Sequence, residues 1–173
     1  MAEKENVMRT LVIEKVTANI GVGNAGESLQ NAKILLERLS GKKAVSTKAK
    51  TRNPVWKTKK GDEIGAKVTI RGPGAVEFIK KSLVARNKPL SERCFDDSGN
   101  FAFGVGEYID FPGAKYDPKI GIIGYDVAVT MKRKGGKRVS SRRHAKSKIG
   151  AKHEITREET VGFAKEVLGA NVA

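Results

Sequence analysis

The chain has almost none of the side chains from which metal sites, disulfides and nucleophilic active sites are built. Its 173 residues include one cysteine, Cys94, and two histidines, His144 and His153. One cysteine excludes an internal disulfide framework and is typical of a reducing cytosol. One thiol and two imidazoles cannot assemble a typical zinc site. No catalytic triad, Cys/His pair or pair of catalytic carboxylates stands out, so the sequence predicts neither an enzyme nor a cofactor.

Long hydrophobic runs are also missing. No apolar stretch approaches the roughly 20 residues of a membrane span, and no basic–apolar–small signal region opens the chain. The hydrophobic content of 39% is ordinary for a globular protein. The length suits one domain with its own core, so we expect a single cytoplasmic domain over residues 1–173.

Acidic residues are absent from two windows of the sequence. The whole chain has 34 Lys and Arg against 19 Asp and Glu, a net charge of +15. Residues 42–60 hold eight basic residues and residues 132–153 hold ten, which leaves the rest of the chain at −3. Charge concentrated in this way indicates a polyanionic partner. Because no lipid anchor or basic amphipathic helix is visible, nucleic acid is favoured over a membrane.

Alternation of apolar and polar residues predicts strands with one buried face. In 64–71 the aliphatic residues point one way, while Gly65, Lys67, Thr69 and Arg71 point the other. In 101–105 the two Phe residues share a face, and we favour core packing over stacking on bases. The predicted strands are 10–20, 44–50, 64–71, 101–105 and 124–132, with a short extended piece at 108–111.

Three helices are predicted from apolar stripes and end signals. One covers 28–39 and stops at Gly41, one opens at Pro73, and the last starts at a capping box, Thr156 to Glu159. Alternating strands, short turns and few helices predict an α+β fold. We expect an antiparallel sheet with helices packed on one face and the other face open.

The segment Gly21–Gly26 has the glycine spacing of a dinucleotide-binding turn between a strand and a helix. That fingerprint also requires an acidic residue about 20 positions later. Here the region is Lys42–Lys50, which has no acid. We therefore favour a tight turn that needs positive φ or a close backbone approach. A small nucleotide-dependent enzyme is the less favoured alternative.

The loop 51–61 combines cations with the single tryptophan of the chain. The pair Asn53–Pro54 interrupts regular structure because the residue before proline avoids the helical region. The loop cations have no acidic neighbour nearer than Asp62, so we expect a mobile loop that contacts nucleic acid by charge and stacking. Its candidate contact residues are Arg52, Trp56, Lys57, Lys59 and Lys60.

The second basic window, 132–153, has little to bury and is predicted to be an extended or hairpin arm that becomes ordered on a partner. It contains no acid and only a few apolar residues. Its cations are Lys132, Arg133, Lys134, Lys137, Arg138, Arg142, Arg143, Lys146, Lys148 and Lys152.

Several long segments, in order and at matching spacing, resemble one family. They are NIGVG at 19–23, SGKKAVSTKAK at 40–50, IGAKVTIRG at 64–72, FDDSGNFAFGVGEYIDFPG at 95–113 and KYDPKIGIIGYDVAVTMKRKG at 115–135. They resemble large-subunit ribosomal protein number five, the family that carries 5S rRNA. The likeness covers essentially the whole chain. The arm segment 140–159 is similar to the archaeal and eukaryotic branch.

The resemblance implies a structural ribosomal protein whose open sheet face binds helix III and loop C of 5S rRNA and helps anchor it in the central protuberance. By motif, the contact residues are Asn19, Lys42, Thr69 and Arg71, with Lys48 and Lys50 as further candidates in the second segment. The bacterial pattern often has Gln at the position of Lys42, so a charge contact to phosphate is expected there. Alternation alone also puts Thr69 and Arg71 on the polar face. The Arg71 guanidinium can donate two parallel hydrogen bonds to a phosphate or to a guanine edge.

The resemblance also implies several other partners in the cytoplasmic ribosome. The loop 51–61 is expected to reach peptidyl-site tRNA. The body is expected to contact large-subunit rRNA, a neighbouring 5S-binding ribosomal protein and, across an intersubunit bridge, small-subunit ribosomal protein number thirteen. A free-standing RNA-binding or chaperone domain is the alternative from a different class. It predicts binding to many single strands, whereas the ribosomal interpretation predicts discrimination for folded 5S rRNA.

Overall fold

The computed structural model describes residues 6–172, without the side chains of 136, 137 and 152. Its strands are β1 (Leu11–Gly21), β2 (Val45–Lys48), β3 (Glu63–Ile70), β4 (Phe101–Val105) and β5 (Tyr125–Arg133). Its α-helices are α1 (Glu27–Ser40), α2 (Pro73–Arg86), α3 (Gly136–Ser141) and α4 (Arg157–Glu166). Short 3-10 helices cover Val7–Arg9, Glu92–Cys94, Tyr108–Asp110 and Ala151–His153.

The strands form one five-stranded sheet in the order β2-β3-β1-β5-β4. Every neighbouring pair is antiparallel. A dinucleotide-binding unit requires parallel strands joined by a crossover helix. Since β1 has antiparallel neighbours on both sides, the glycines after β1 do not belong to such a unit. The predicted α+β fold is confirmed.

One face of the sheet is apolar and is covered by helices. α1 packs mainly on β3, and α2 packs on β1 and β4. The buried strand residues are Val16, Ala18, Ile20, Ala66, Val68, Ile70, Phe101, Phe103, Val105, Tyr125, Val127, Val129 and Met131. They meet Leu29, Ala32, Leu35 and Leu36 of α1 and Phe78 and Ile79 of α2. Both Phe residues of β4 lie in this core, as predicted, and are not on the open face.

The predicted helix ends agree closely with the structure. Gly41 closes α1 with a φ of 64° and donates its N–H to the Glu37 carbonyl at 2.8 Å, which is the usual role of glycine after a helix. At the start of α4, Thr156 and Glu159 form the predicted capping box, with both reciprocal hydrogen bonds present. No helix within 6–172 is long and apolar enough to cross a membrane.

Two local predictions are wrong. Residues 108–111 are not extended, because Tyr108–Asp110 form a 3-10 turn that is closed when Phe111 donates its N–H to the Tyr108 carbonyl at 3.1 Å. The basic arm is neither fully extended nor a hairpin, because α3 forms within it at 136–141. The sequence pattern did not show α3, since six residues are too few for an apolar stripe.

Candidate nucleic-acid interface

The face of the sheet opposite the helices is polar, and the strand register places its side chains in rows. Asn19 of β1 lies between Lys67 of β3 and Asp126 of β5, its partners in the two ladders. The next row consists of Thr69, Thr17 and Ala128 in the same strand order. Because neighbouring strands are about 4.8 Å apart, side chains in one row are close neighbours. The predicted contact residues Asn19 and Thr69 therefore lie on one surface.

The polar side chains of this face have no partners within the part of the chain that the structure describes. Thr17, Asn19, Lys67, Thr69 and Arg71 make no side-chain hydrogen bond or ion pair to any residue of 6–172. Arg71 follows the last residue of β3 and is exposed. Unpartnered hydroxyl, amide, ammonium and guanidinium groups on one flat surface form a set of donors and acceptors available to RNA.

The glycine-rich turn supports this face from one end. Gly23 has a φ of +86°, and the N–H groups of Val22 and Gly23 both donate to the Ile64 carbonyl, at 2.9 and 2.8 Å. Gly65, opposite Gly21, has no room for a Cβ, because that atom would lie 2.7 Å from the Ile20 carbonyl oxygen. The tight turn with positive φ predicted for Gly21–Gly26 is thus present, whereas the close backbone approach is at Gly65, because a Cβ added at Gly21, Gly23 or Gly26 would have nothing within 4 Å.

Lys42, Lys48 and Lys50 do not lie with Asn19 and Thr69 on the open face. Lys42 is exposed just beyond the Gly41 cap of α1, and Lys50 is exposed after β2. A register shift places Lys48 opposite Glu63, which forms an ion pair with Lys33 of α1 at 3.5 Å. Lys48 therefore lies on the helix side of the sheet edge. These lysines border the face and are separate from its rows.

Glu63 is an acid at this edge of the sheet. It lies just beyond the acid-free window 42–60. A hydrogen bond from the Ser46 hydroxyl, followed by the charges of Lys33 and Lys48, holds the pKa of the Glu63 carboxyl below its usual value. Part of the charge of Lys48 is thus balanced within the protein. We therefore expect Lys48 to contribute less to an RNA contact than Lys42 or Lys50.

The loop 51–61 is the tip of a hairpin. Asn53 and Thr58 exchange backbone hydrogen bonds at 3.0 and 3.1 Å, and Asn53 Oδ1 accepts the Val55 N–H at 3.0 Å. Below the tip, Ala49 pairs with Gly61 and Asp62 through bonds of 3.0 and 2.8 Å. Trp56 is 74% exposed, which suits a contact residue. Arg52, Lys57, Lys59 and Lys60 are exposed as well.

In the basic arm, Arg133 differs from the other cations. Its guanidinium donates to both carboxylate oxygens of Glu159, at 2.8 and 2.7 Å, and to the carbonyls of Arg9 and Glu154 at 2.9 and 3.3 Å. Its side chain is only 11% exposed. These internal bonds use donors of both terminal nitrogens of Arg133, and its buried Nε makes no hydrogen bond within the described residues. The sequence-based prediction that Arg133 contacts rRNA stays a prediction, and we expect Arg133 to contribute less to such a contact than the exposed cations of the arm.

The remaining arm cations with described side chains are accessible. Lys132 is half-buried on β5 opposite Val12, and the others are exposed: Lys134, Arg138, Arg142, Arg143, Lys146 and Lys148. Arg142 donates from Nε to the Ala145 carbonyl at 2.7 Å, which leaves its other guanidinium donors available. The side chains of Lys137 and Lys152 lie outside the described part of the chain.

Sequence reasoning did not propose several residues of the open face as RNA contacts, among them Lys15, Thr17, Lys67 and Asp126. Alternation showed that Asp126 shares a face with Ala128 and Thr130, but it could not show which strand lies next to β5. The register places Asp126 beside Asn19, and its Oδ1 would lie 3.2 Å from a Cβ added to Gly104. The β3–β1 half of the face is thus cationic, and the β5–β4 half contains an acid.

Comparison with known proteins gives the family. The family described as "Ribosomal protein L5" matches residues 6–59, and the "family C-terminus" of the same ribosomal protein matches residues 63–163. Both matched regions contribute strands to the single sheet.

Curated relatives with the printed name "Large ribosomal subunit protein uL5" match almost the full length. The protein from Sulfolobus acidocaldarius is 47% identical over 171 residues, covering 99% of this chain and 96% of the relative. The protein from Nanoarchaeum equitans is 46% identical over 169 residues, covering 97% and 99%. The protein from Methanococcoides burtonii is 45% identical over 167 residues, covering 96% and 98%. These relatives are archaeal, in agreement with the predicted branch. The chain belongs to the ribosomal protein L5 family.

Proposed function

We propose that the chain binds 5S rRNA through its open sheet face and helps to anchor it in the central protuberance. As a member of its family it is a structural, non-enzymatic protein of the large ribosomal subunit. The observation that carries the proposal is the cluster of side chains around Asn19, Thr69 and Arg71, which have no side-chain partner among residues 6–172 and face away from both packing helices. A polar sheet surface of this kind suits RNA recognition.

Each side chain of the cluster has a chemical role that fits RNA. Arg71 presents a planar fork that pairs with two phosphate oxygens or with the O6 and N7 atoms of guanine. The Asn19 amide has donors and acceptors for a base edge, and the Thr69 hydroxyl can bond a base or a sugar hydroxyl. Lys67, next to Asn19 in register, adds a positive charge for phosphate.

Asp126 limits where the RNA backbone can run. A carboxylate repels phosphate but accepts hydrogen bonds from amino groups such as cytosine N4. Because Asp126 lies on the other side of Asn19 from Lys67, we place the phosphates over β3 and β1 and a base edge over β5. Lys42 and Lys50 add charge at the border of the face, and Lys48 adds less.

The hairpin tip at 51–61 is proposed to contact peptidyl-site tRNA. Its base is held by backbone hydrogen bonds to Ala49, so the tip extends from a fixed position. Val55 and Trp56 are 83% and 74% exposed there, beside Lys57. An exposed aromatic ring among cations offers stacking and charge without sequence selectivity, which suits a surface that must accept many tRNAs.

The basic arm is proposed to bind large-subunit rRNA through its exposed cations, with a smaller contribution from Arg133. Arm side chains between 134 and 148 are exposed or half-buried wherever the structure describes them. They therefore add electrostatic affinity and take no part in the core.

The loop between Pro112 and Gly124 is proposed to meet small-subunit ribosomal protein number thirteen. Tyr116 and Ile122 are 56% and 64% exposed on it. The loop is held against α1, since Arg38 bonds Asp117 at 2.8 Å and the Asn31 amide donates to the Lys119 carbonyl at 2.9 Å. Apolar side chains on a fixed loop suit a protein contact. A neighbouring 5S-binding ribosomal protein is a further proposed partner.

The proposal is tested by measuring which RNA the full chain prefers. Binding to 5S rRNA is compared with binding to a structured RNA of equal length and to a single strand, at one salt concentration. We expect affinity for 5S rRNA to exceed the other two by at least about a thousandfold, the lower end of the usual range for specific binding. Equal affinity for all three would support the free-standing RNA-binding or chaperone alternative instead.

A further inference from the structure

Thr17 lies at the centre of the open face, on the central strand β1. We infer that Thr17 is a specificity-determining residue that recognises a ribose 2′-hydroxyl, so that the face distinguishes RNA from DNA at this point. The inference rests on the proposed binding of 5S rRNA by this face and adds a residue and a chemical selectivity to it.

The register shows why Thr17 differs from an ordinary surface threonine. It lies directly opposite Thr69 in one ladder and opposite Ala128 in the other. Side chains opposite each other in antiparallel strands have Cβ atoms about 4.5–5.5 Å apart, so the two hydroxyls can contact one small group between them. Neither hydroxyl bonds to any residue of 6–172, and Thr17 is half-buried by its neighbours.

The surroundings of Thr17 indicate which part of a nucleotide lies over it. The row on one side contains Lys67, two residues from Thr69. In the row on the other side of the threonine pair, Lys15 lies two residues before Thr17 and Arg71 lies two residues after Thr69. Two residues along a strand span about 7 Å. Phosphates attracted to the cations on both sides leave a sugar over the neutral threonines.

A 2′-hydroxyl is the group that fits this position chemically. It is both donor and acceptor, as is the hydroxyl of Thr17, so the two can bond in either direction. The neighbouring Ala128 has only a methyl group, so a base edge over this row would find no hydrogen-bond partner at that position. A deoxyribose would leave the threonine hydroxyls without a partner in the interface, and this costs binding energy.

The test combines a protein substitution with substitutions in the RNA. Thr17→Val removes the hydroxyl and keeps the shape and the preference for a strand, and Thr17→Ser restores a hydroxyl. Each variant is titrated with 5S rRNA and with versions that carry single 2′-deoxy substitutions along helix III and loop C. Thr10→Val is the matched control, because Thr10 is exposed just before β1 and only its backbone is bonded.

We expect Thr17→Val to weaken binding about fivefold to tenfold, Thr17→Ser to bind within about twofold of wild type, and Thr10→Val to have no effect. A 2′-deoxy substitution at one position should weaken RNA binding by the wild-type protein by a similar factor. The same substitution should cause no further loss of binding by Thr17→Val. Unchanged affinity of Thr17→Val would overturn the inference. So would a result in which the losses from Thr17→Val and from the 2′-deoxy substitution are independent at every position, so that their fold-changes multiply. If wild type itself does not prefer 5S rRNA, the proposed function fails instead.

Discussion

Arg133, the last residue of β5, holds both carboxylate oxygens of Glu159 in α4, at 2.8 and 2.7 Å. The same guanidinium reaches the Glu154 carbonyl at the far end of the basic arm, at 3.3 Å. Glu159 also accepts the Thr156 N–H at 3.3 Å as part of the capping box. One cation of the arm thus joins the two ends of the arm to the last helix.

Replacement of Arg133 by Met should therefore reduce stability more than it reduces RNA binding. Arg133 is 11% exposed and Glu159 is 40% exposed, so loss of this partly exposed ion pair and its hydrogen bonds costs about 1–3 kcal/mol. Such a loss lowers the Tm of a domain of this size by several degrees. Arg138→Met, on the exposed part of the arm, is the control and should leave the Tm within about 1–2 °C. Thermal unfolding measures both. An unchanged Tm for Arg133→Met would show that the ion pair does not hold the arm.

Replacement of residues 135–150 by two glycines should reduce RNA binding more than it reduces stability. This change keeps Arg133 and Glu154, and no described side chain in the deleted segment is buried. We expect a Tm near that of wild type and a flatter salt dependence of binding to large-subunit rRNA. Each lost phosphate contact removes roughly 0.7–0.9 from the slope of log K against log salt. An unfolded variant would show that the arm is part of the structural core.

Alanine replacement of Lys57, Lys59 and Lys60 should separate tRNA contact from 5S rRNA binding. These side chains lie on the hairpin, away from the rows that contain Asn19 and Thr69. We expect nearly unchanged affinity for 5S rRNA and weaker retention of peptidyl-site tRNA in assembled ribosomes. A greater loss of 5S rRNA than of tRNA would place the hairpin in the rRNA interface.

The same hairpin can be examined in the free protein through Trp56, the only tryptophan. Because its side chain is 74% exposed, its fluorescence should be readily quenched by acrylamide. Strong protection from the quencher in the absence of RNA would contradict an exposed contact residue.

Stability should fall at alkaline pH because of Tyr125. Burial raises the pKa of its phenol from 10.0 to about 12, while a hydrogen bond with Ser82 opposes the shift. Between these values the unfolded phenol ionises and the folded one stays neutral. Its contribution to stability is therefore complete below pH 10 and is lost as the pH rises towards 12. Tyr125→Phe should flatten the decline of the Tm above pH 10, and an equally steep decline would contradict the assignment.

The sequence predicted the fold class and most elements because these depend on local patterns. The capping box at Thr156 and the glycine stop at Gly41 specify helix ends, and alternation specifies which residues of β3 face the helices. The row Lys67, Asn19, Asp126 could not be predicted, since it depends on which strands are neighbours and in which register. The internal role of Arg133 was missed for a similar reason. Its partner Glu159 is 26 residues away, beyond the acid-free window.

The central claim, that the open sheet face binds 5S rRNA, is tested most directly with Arg71→Ala. Arg71 is exposed and makes no hydrogen bond or ion pair within the described residues, so its removal should leave folding intact. Arg93→Ala is the matched control, since Arg93 is an exposed arginine in the 3-10 helix Glu92–Cys94, outside the sheet. Affinity for 5S rRNA is measured for both at one salt concentration. We predict a loss of about 1–3 kcal/mol for Arg71→Ala and none for Arg93→Ala. Unchanged affinity for a folded Arg71→Ala protein would contradict the account.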